Sequence, residues 1–135
     1  MPSINIIAVL ISAALSMGVG YFWYGPKAFG DQWMKLVGLS KSDLEKANEE
    51  GCKAMPIAFV GALVQATALS MILSFAAAQS LGEATKIALL VGIGFFGVRN
   101  LGVVLWEHKP KELFCINTGY DLVVLTLMSW VLVSL

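Results

Sequence analysis

The chain has 135 residues, of which 58% are hydrophobic and 13% charged, and its formal net charge is zero. Soluble domains carry about 25% charged residues, so this chain has too few ionic groups to cover a water-facing surface. The neutral balance also leaves no electrostatic footprint for a nucleic-acid partner. The length suits one domain, and the mean hydropathy of +0.78 points to lipid as its solvent. Cys52, Cys115 and the single histidine, His108, offer neither a disulfide framework nor metal-ligand spacing, so no metal and no cofactor is expected.

Four apolar segments follow one another, at about 4–24, 55–79, 84–106 and 113–135. Each exceeds the ~20 residues that cross ~30 Å of hydrocarbon at ~1.5 Å per residue. The fold expected is an all-α bundle of four transmembrane helices forming a single domain over 1–135. No Lys or Arg precedes the first run, which therefore lacks the positive region of a secretory signal and reads as a retained helix.

Charge orients the bundle. Lys27, Lys35, Lys41, Lys46 and Lys53 fall in the first loop (25–54), and Lys109 and Lys111 in the third, so seven of the nine basic residues share one side. The positive-inside rule makes that side cytoplasmic and both termini external, in a plasma (inner) membrane. Cys52 and Cys115 then face a compartment that keeps thiols reduced.

The first loop has structure of its own. Pro26 is suited to a first helical turn, and Phe29, Trp33, Leu36 and Val37 recur on one face with Lys27, Asp31, Gln32 and Lys35 opposite. This pattern predicts an amphipathic interfacial helix over 26–37, with Trp23, Tyr24, Phe29 and Trp33 at headgroup depth. Gly38 ends it. Ser40 or Ser42 then caps a second, polar helix over about 42–50 that carries Asp43, Glu45, Lys46, Glu49 and Glu50, stops at Gly51 and is followed by the second span from Pro56. The second loop is a tight turn around Ser80–Glu83. Pro110 breaks the chain in the third. Loops this short pair spans two with three and three with four.

Helices in lipid associate where small residues let their backbones approach. Span one carries Ala8, Ser12, Ser16 and Gly20 at every fourth position, and span two carries Ala58, Ala62, Ala66, Ser70, Ser74 and Ala78 at the same spacing. These seams are expected to be packing faces, against each other or against a second copy. Span three holds Gly92-Ile-Gly94-Phe-Phe-Gly97, a literal G-x-G-x-x-G. A dinucleotide site needs that motif between a strand and a helix; inside a span the glycines instead allow close contact or a kink.

Polar groups within the membrane are costly and mark functional candidates. Arg99 and Asn100 lie in span three, and Asn117 and Asp121 in span four. Counted from the middle of the third loop at ~1.5 Å per residue, Arg99 and Asp121 differ in depth by ~1.5 Å. An Arg99–Asp121 ion pair between spans three and four is therefore expected, with Asn100 and Asn117 one turn nearer the loop. Gln65 and Asn5 are weaker candidates, and His108 reads as solvated. No nucleophile–base pair appears and no catalytic residue is assigned, so the chain does not read as an enzyme.

Trp23-Tyr24-Gly25-Pro26, followed by Phe29-Gly30 and Trp33-Met34, resembles the first-loop signature of a bacterial family of small four-span membrane proteins known only as a domain of unknown function. Leu113-Phe114-Cys115-Ile116-Asn117-Thr118-Gly119-Tyr120 resembles the start of span four in the same family. The resemblance covers essentially the whole chain. It implies a membrane location and a four-helix fold, and no particular activity. In that family the residue after the Gly-Tyr pair is often His, where this chain has Asp121. Small multidrug transporters are similar in size alone, because their acidic residue in span one has no counterpart here.

Two functions fit these residues. One is binding or movement of a small solute or ion through the polar cluster between spans three and four, in a homo-oligomer within the lipid bilayer. The other is an accessory or structural membrane protein that binds a protein partner or self-assembles through its small-residue seams.

Overall fold

The computed structural model describes residues 3–25, 27–38 and 41–135. The expected roles of Pro26 as a helix start and of Ser40 as a cap lie outside these residues, as do the side chains of Glu45, Glu49, Glu50 and Cys52. Helix α1 (Ile6–Trp23) begins at Asn5, whose side-chain oxygen accepts from the Ala8 N–H at 3.2 Å. The same side chain donates to the Leu135 carbonyl at 3.2 Å and ties the first span to the end of the last. The first loop then folds back, with the Phe29 N–H bonded to the Trp23 carbonyl and the Gly30 N–H to the Gly25 carbonyl. After this tight return the helix of the first loop, α2, runs over Gly30–Val37 and begins later than the 26 expected. Trp33, Met34, Leu36 and Val37 are half-buried on it, Asp31, Gln32 and Lys35 are exposed, and Gly38 closes it in the left-handed conformation at φ 77.

The polar helix expected over 42–50 is not separate. One helix, α3, runs from Lys41 to Phe75 with Pro56 inside it. Gly51 costs roughly 1 kcal/mol and Pro56 removes one backbone hydrogen bond. A break would release several backbone groups beside the hydrocarbon, where each costs more. The turn to span three occupies 76–80, earlier than the Ser80–Glu83 expected. Ser80 caps α4 (Leu81–Val91) by a reciprocal capping box with Glu83. Helix α4 passes through a π-helical turn, Gly92–Gly97, into α5 (Val98–Trp106), and α6 spans Lys111–Ser134. Four stretches are long and apolar enough to cross a membrane: Ile6–Trp23, Ala54–Phe75, Leu81–Trp106 and Lys111–Ser134. The chain is a multi-pass membrane protein.

Helix α6 is the centre of the bundle and packs on α1, α3, α4, the π turn and α5. Spans three and four pair as expected. Spans two and three do not: α3 and α4 are joined by the second loop yet have no extended contact. A short loop holds two helices together at one end only. Here the side chains of Val124, Leu125 and Met128 on α6 join Ala66, Leu69 and Leu73 of α3 and Ala84 and Ala88 of α4 in one buried cluster.

Helix α1 packs on both α3 and α6, and the small-residue stripes are buried over only part of their length. Ala8, Ser12, Ser16, Ala62 and Ala66 are buried; Gly20, Ser70 and Ala78 are half-buried; Ala58 and Ser74 are exposed. A step of four residues turns ~400°, so a strict four-residue stripe drifts ~40° per step and leaves the contact after a few turns. The buried face continues from Ala66 through Leu69 and Leu73, which follow the true helical period. Ala66→Leu is therefore expected to lower stability by about 1–3 kcal/mol through overpacking, while Ala58→Leu leaves it unchanged. Melting of both variants in detergent checks this, and equal melting temperatures would contradict the assignment.

Candidate functional site: a polar and aromatic cluster beneath the first loop

At the end of the bundle that carries the first and third loops, α1, the first loop, α5 and α6 converge. The indole N–H of Trp23 donates to the Ile116 carbonyl at 3.1 Å, and the Tyr24 hydroxyl donates to Asn117 Oδ1 at 2.8 Å. The Tyr120 hydroxyl donates to the Ser16 carbonyl at 3.4 Å. Around these bonds the rings meet at a tilt or edge to face: Trp23 and Phe29 with centroids 4.9 Å apart, Tyr24 and Trp33 at 5.4 Å, and Tyr24 and Tyr120 at 5.2 Å. The two stretches that carry the family resemblance are thus each other's binding partners. Trp23, Tyr24, Phe29 and Trp33 form one aromatic layer over α6, in which Trp23 and Tyr24 are half-buried and hydrogen-bonded to it.

Two glycines permit this closeness. A Cβ on Gly119 would sit 3.2 Å from Trp23 Cζ2, so the benzo edge of the indole lies close against α6 there. A Cβ on Gly30 would sit 2.5 Å from the Tyr24 carbonyl oxygen and 2.6 Å from that of Gly25, and backbone cannot move aside as a side chain can.

The second half of the cluster lies between α5 and α6. Asn100 Nδ2 donates to Asp121 Oδ2 at 2.9 Å and to Thr118 Oγ1 at 3.2 Å. Among the described residues nothing donates to Asp121 Oδ1. The expected Arg99–Asp121 ion pair is not formed: Arg99 is exposed and has neither a hydrogen bond nor an ion pair among the described residues. It is still near enough for the carboxylate to feel its charge. Of the four residues singled out in the sequence, Asn100 and Asp121 meet directly, Asn117 faces Tyr24, and Arg99 stands at the side.

The π turn accounts for this exchange. Gly92 is buried against Leu122 and Leu125 of α6, where an added Cβ would come within 2.5 Å of Leu122 Cδ2. Counted from Gly92 at ~100° per residue, an unbroken α-helix returns Arg99 to within ~20° of the α6 face and leaves Asn100 ~80° away. A π turn holds about one residue more than an α turn. The six residues Gly92–Gly97 therefore shift the register by about one position, and the amide of Asn100 reaches the carboxylate in place of the guanidinium. Sequence reading missed Tyr120 and Thr118 as members of the cluster, and the tight Gly119-Tyr120 pair was the available signal. It also missed the hydrogen bonds of Trp23 and Tyr24, because aromatics at a span's end read first as headgroup anchors.

Three apolar spans packed around a fourth, with a polar cluster at one end, define a small multi-pass membrane protein. The chain belongs to a family described as a protein of unknown function, DUF1761, whose match covers residues 7–133. No curated protein and no solved structure matches it.

Gly30→Ala is expected to unseat α2 and separate Trp33 from Tyr24. Red-shifted tryptophan emission and faster proteolysis within the first loop are the readouts; emission and cleavage matching the parent chain would contradict it.

Proposed function

We propose that this membrane protein binds or moves a small solute or ion at the cluster formed by Asn100, Asn117 and Asp121, with Arg99 at its edge. The observation that supports this most directly is the carboxylate of Asp121. It lies within a span, half-buried, and is held through one oxygen by Asn100 while the other oxygen has no donor among the described residues. An intramembrane carboxylate is costly unless something offsets its charge. A single fixed amide positions it without neutralising it, and a visiting cation or hydrogen-bond donor supplies the rest.

In this reading the chain lies in a plasma (inner) membrane, with the first and third loops cytoplasmic and both termini external. The cluster then opens on the cytoplasmic half. Four spans give a narrow pathway, so the working unit is a homo-oligomer. The alternative of an accessory protein that assembles through its seams has less support, because Ala8, Ser12, Ser16, Ala62 and Ala66 are already buried within one chain.

Flux of a panel of small amines, amino acids and monovalent cations into proteoliposomes tests the proposal. Uptake that falls at least tenfold in Asp121→Asn is expected, which corresponds to the loss of roughly 1.4 kcal/mol or more of binding or barrier energy. Flux of every panel member equal to that of empty liposomes would count against it.

A further inference from the structure

Arg99 and Asp121 carry the opposite charges of one cluster, yet each keeps free capacity. Among the described residues, one oxygen of the carboxylate receives no donor. The guanidinium has five N–H groups, none of which donates to a described residue. Arg99 lies seven residues before Trp106, ~10 Å along the span from its end. Side chains lean toward their helix N-terminus, which in α5 is away from the third loop, so the geometry does not favour escape to the headgroups. Direct pairing is opposed as well. Consecutive helical residues point ~100° apart, and Asn100 occupies the place facing Asp121. Phenols lie on the carboxylate side as well: Tyr24 and Tyr120 meet at a tilt with centroids 5.2 Å apart, Tyr120 precedes Asp121 in the chain, and Tyr24 bonds to Asn117 one turn away. A carboxylate beside aromatic rings suits an ammonium group, by ion pairing and by cation–π attraction, while a guanidinium suits a carboxylate or phosphate.

We infer that the cluster takes a dipolar ligand, with an ammonium group at Asp121 beside the Tyr24–Tyr120 pair and an acidic group at Arg99, bridging two charges that the fold holds near each other but apart. This rests on the solute-binding reading above and narrows it to one chemical class. Such a ligand has two sources: a free amino acid-like zwitterion, or the headgroup of an aminophospholipid reaching in from the bilayer.

Equilibrium binding to the full chain in nanodiscs of phosphatidylglycerol, whose headgroup carries no cation, separates the possibilities. The probes are glycine, β-alanine and γ-aminobutyrate, set against butylamine and butyrate. At least one zwitterion is expected to bind on the order of tenfold more tightly than either single-charge probe. Arg99→Gln should abolish its advantage over butylamine, Asp121→Asn its advantage over butyrate, and Arg99→Lys should retain much of the first. If no free zwitterion binds, discs that contain phosphatidylethanolamine should raise the melting temperature of the parent chain and not of Arg99→Gln or Asp121→Asn, which identifies the lipid source. Butylamine binding as tightly as the zwitterions would overturn the dipolar ligand and leave a simple cation site in place. No binding in any disc, with no lipid-dependent shift, would overturn both readings. Monodisperse elution of each variant verifies that a loss is not a loss of folding.

Discussion

A polar group within hydrocarbon has no water to turn to, and in this bundle the group that organises the rest is the indole N–H of Trp23. Its bond to the Ile116 carbonyl, together with that from Tyr24 to Asn117, fastens the end of the first span to the start of the last. Everything at that end follows from the attachment. The first loop must reverse at once, which folds Gly30 onto the backbone of Tyr24 and Gly25. Helix α2 is thereby laid beside α6, with Trp33 against Tyr24. At the opposite end Asn5 makes the matching attachment to Leu135. Spans one and four are thus held at both ends. Span three is covered least, with 17% of its apolar window buried against 28% for spans one and four, and that leaves one face of α5 free beside the cluster.

Much of this architecture is legible in the residues. Length and hydropathy mark the four spans, because crossing a bilayer imposes a minimum run that few other structures need. The small-residue stripes fall on α1 and α3, two helices that pack on each other, although Ser16 and Gly20 of the first stripe meet Tyr120 of α6. What they do not carry is extent. Ala58 and Ser74 belong to the same stripe as Ala62 and Ala66 but point away, since a four-residue repeat and a 3.6-residue helix lose phase. Neighbours in sequence are likewise poor guides to neighbours in space once a central helix intervenes, as α6 does between spans two and three.

The site is legible in one coordinate and hidden in another. Counting residues from the third loop places Arg99 and Asp121 at nearly one depth, and the carboxylate is indeed met at that level, by Asn100, the neighbour of Arg99. Azimuth is different. Which of two adjacent residues faces α6 depends on every turn between the last known contact and the site, and a single wide turn is enough to exchange them. The glycines at 92, 94 and 97 advertise an irregularity without stating its kind. The aromatic layer was hidden for a related reason: Trp23 and Tyr24 suit a headgroup and a helix surface equally well, and the choice is made by Gly119 and Asn117 nearly a hundred positions later.

The wide turn at Gly92–Gly97 also changes how mutation acts on this protein. At most sites the side chain that meets a ligand is altered by substitution. Here the turn holds one residue more than an α turn, so loss of one residue from the glycine run would let the span close into an ordinary helix with Asn100 as the seventh residue after Gly92, still facing α6. Closure of the turn at unchanged length would instead bring Arg99 to that place, opposite the carboxylate, with no change to either codon. The shape of the turn, set by the glycine run rather than by the residues after it, therefore decides which of two adjacent side chains meets the acid.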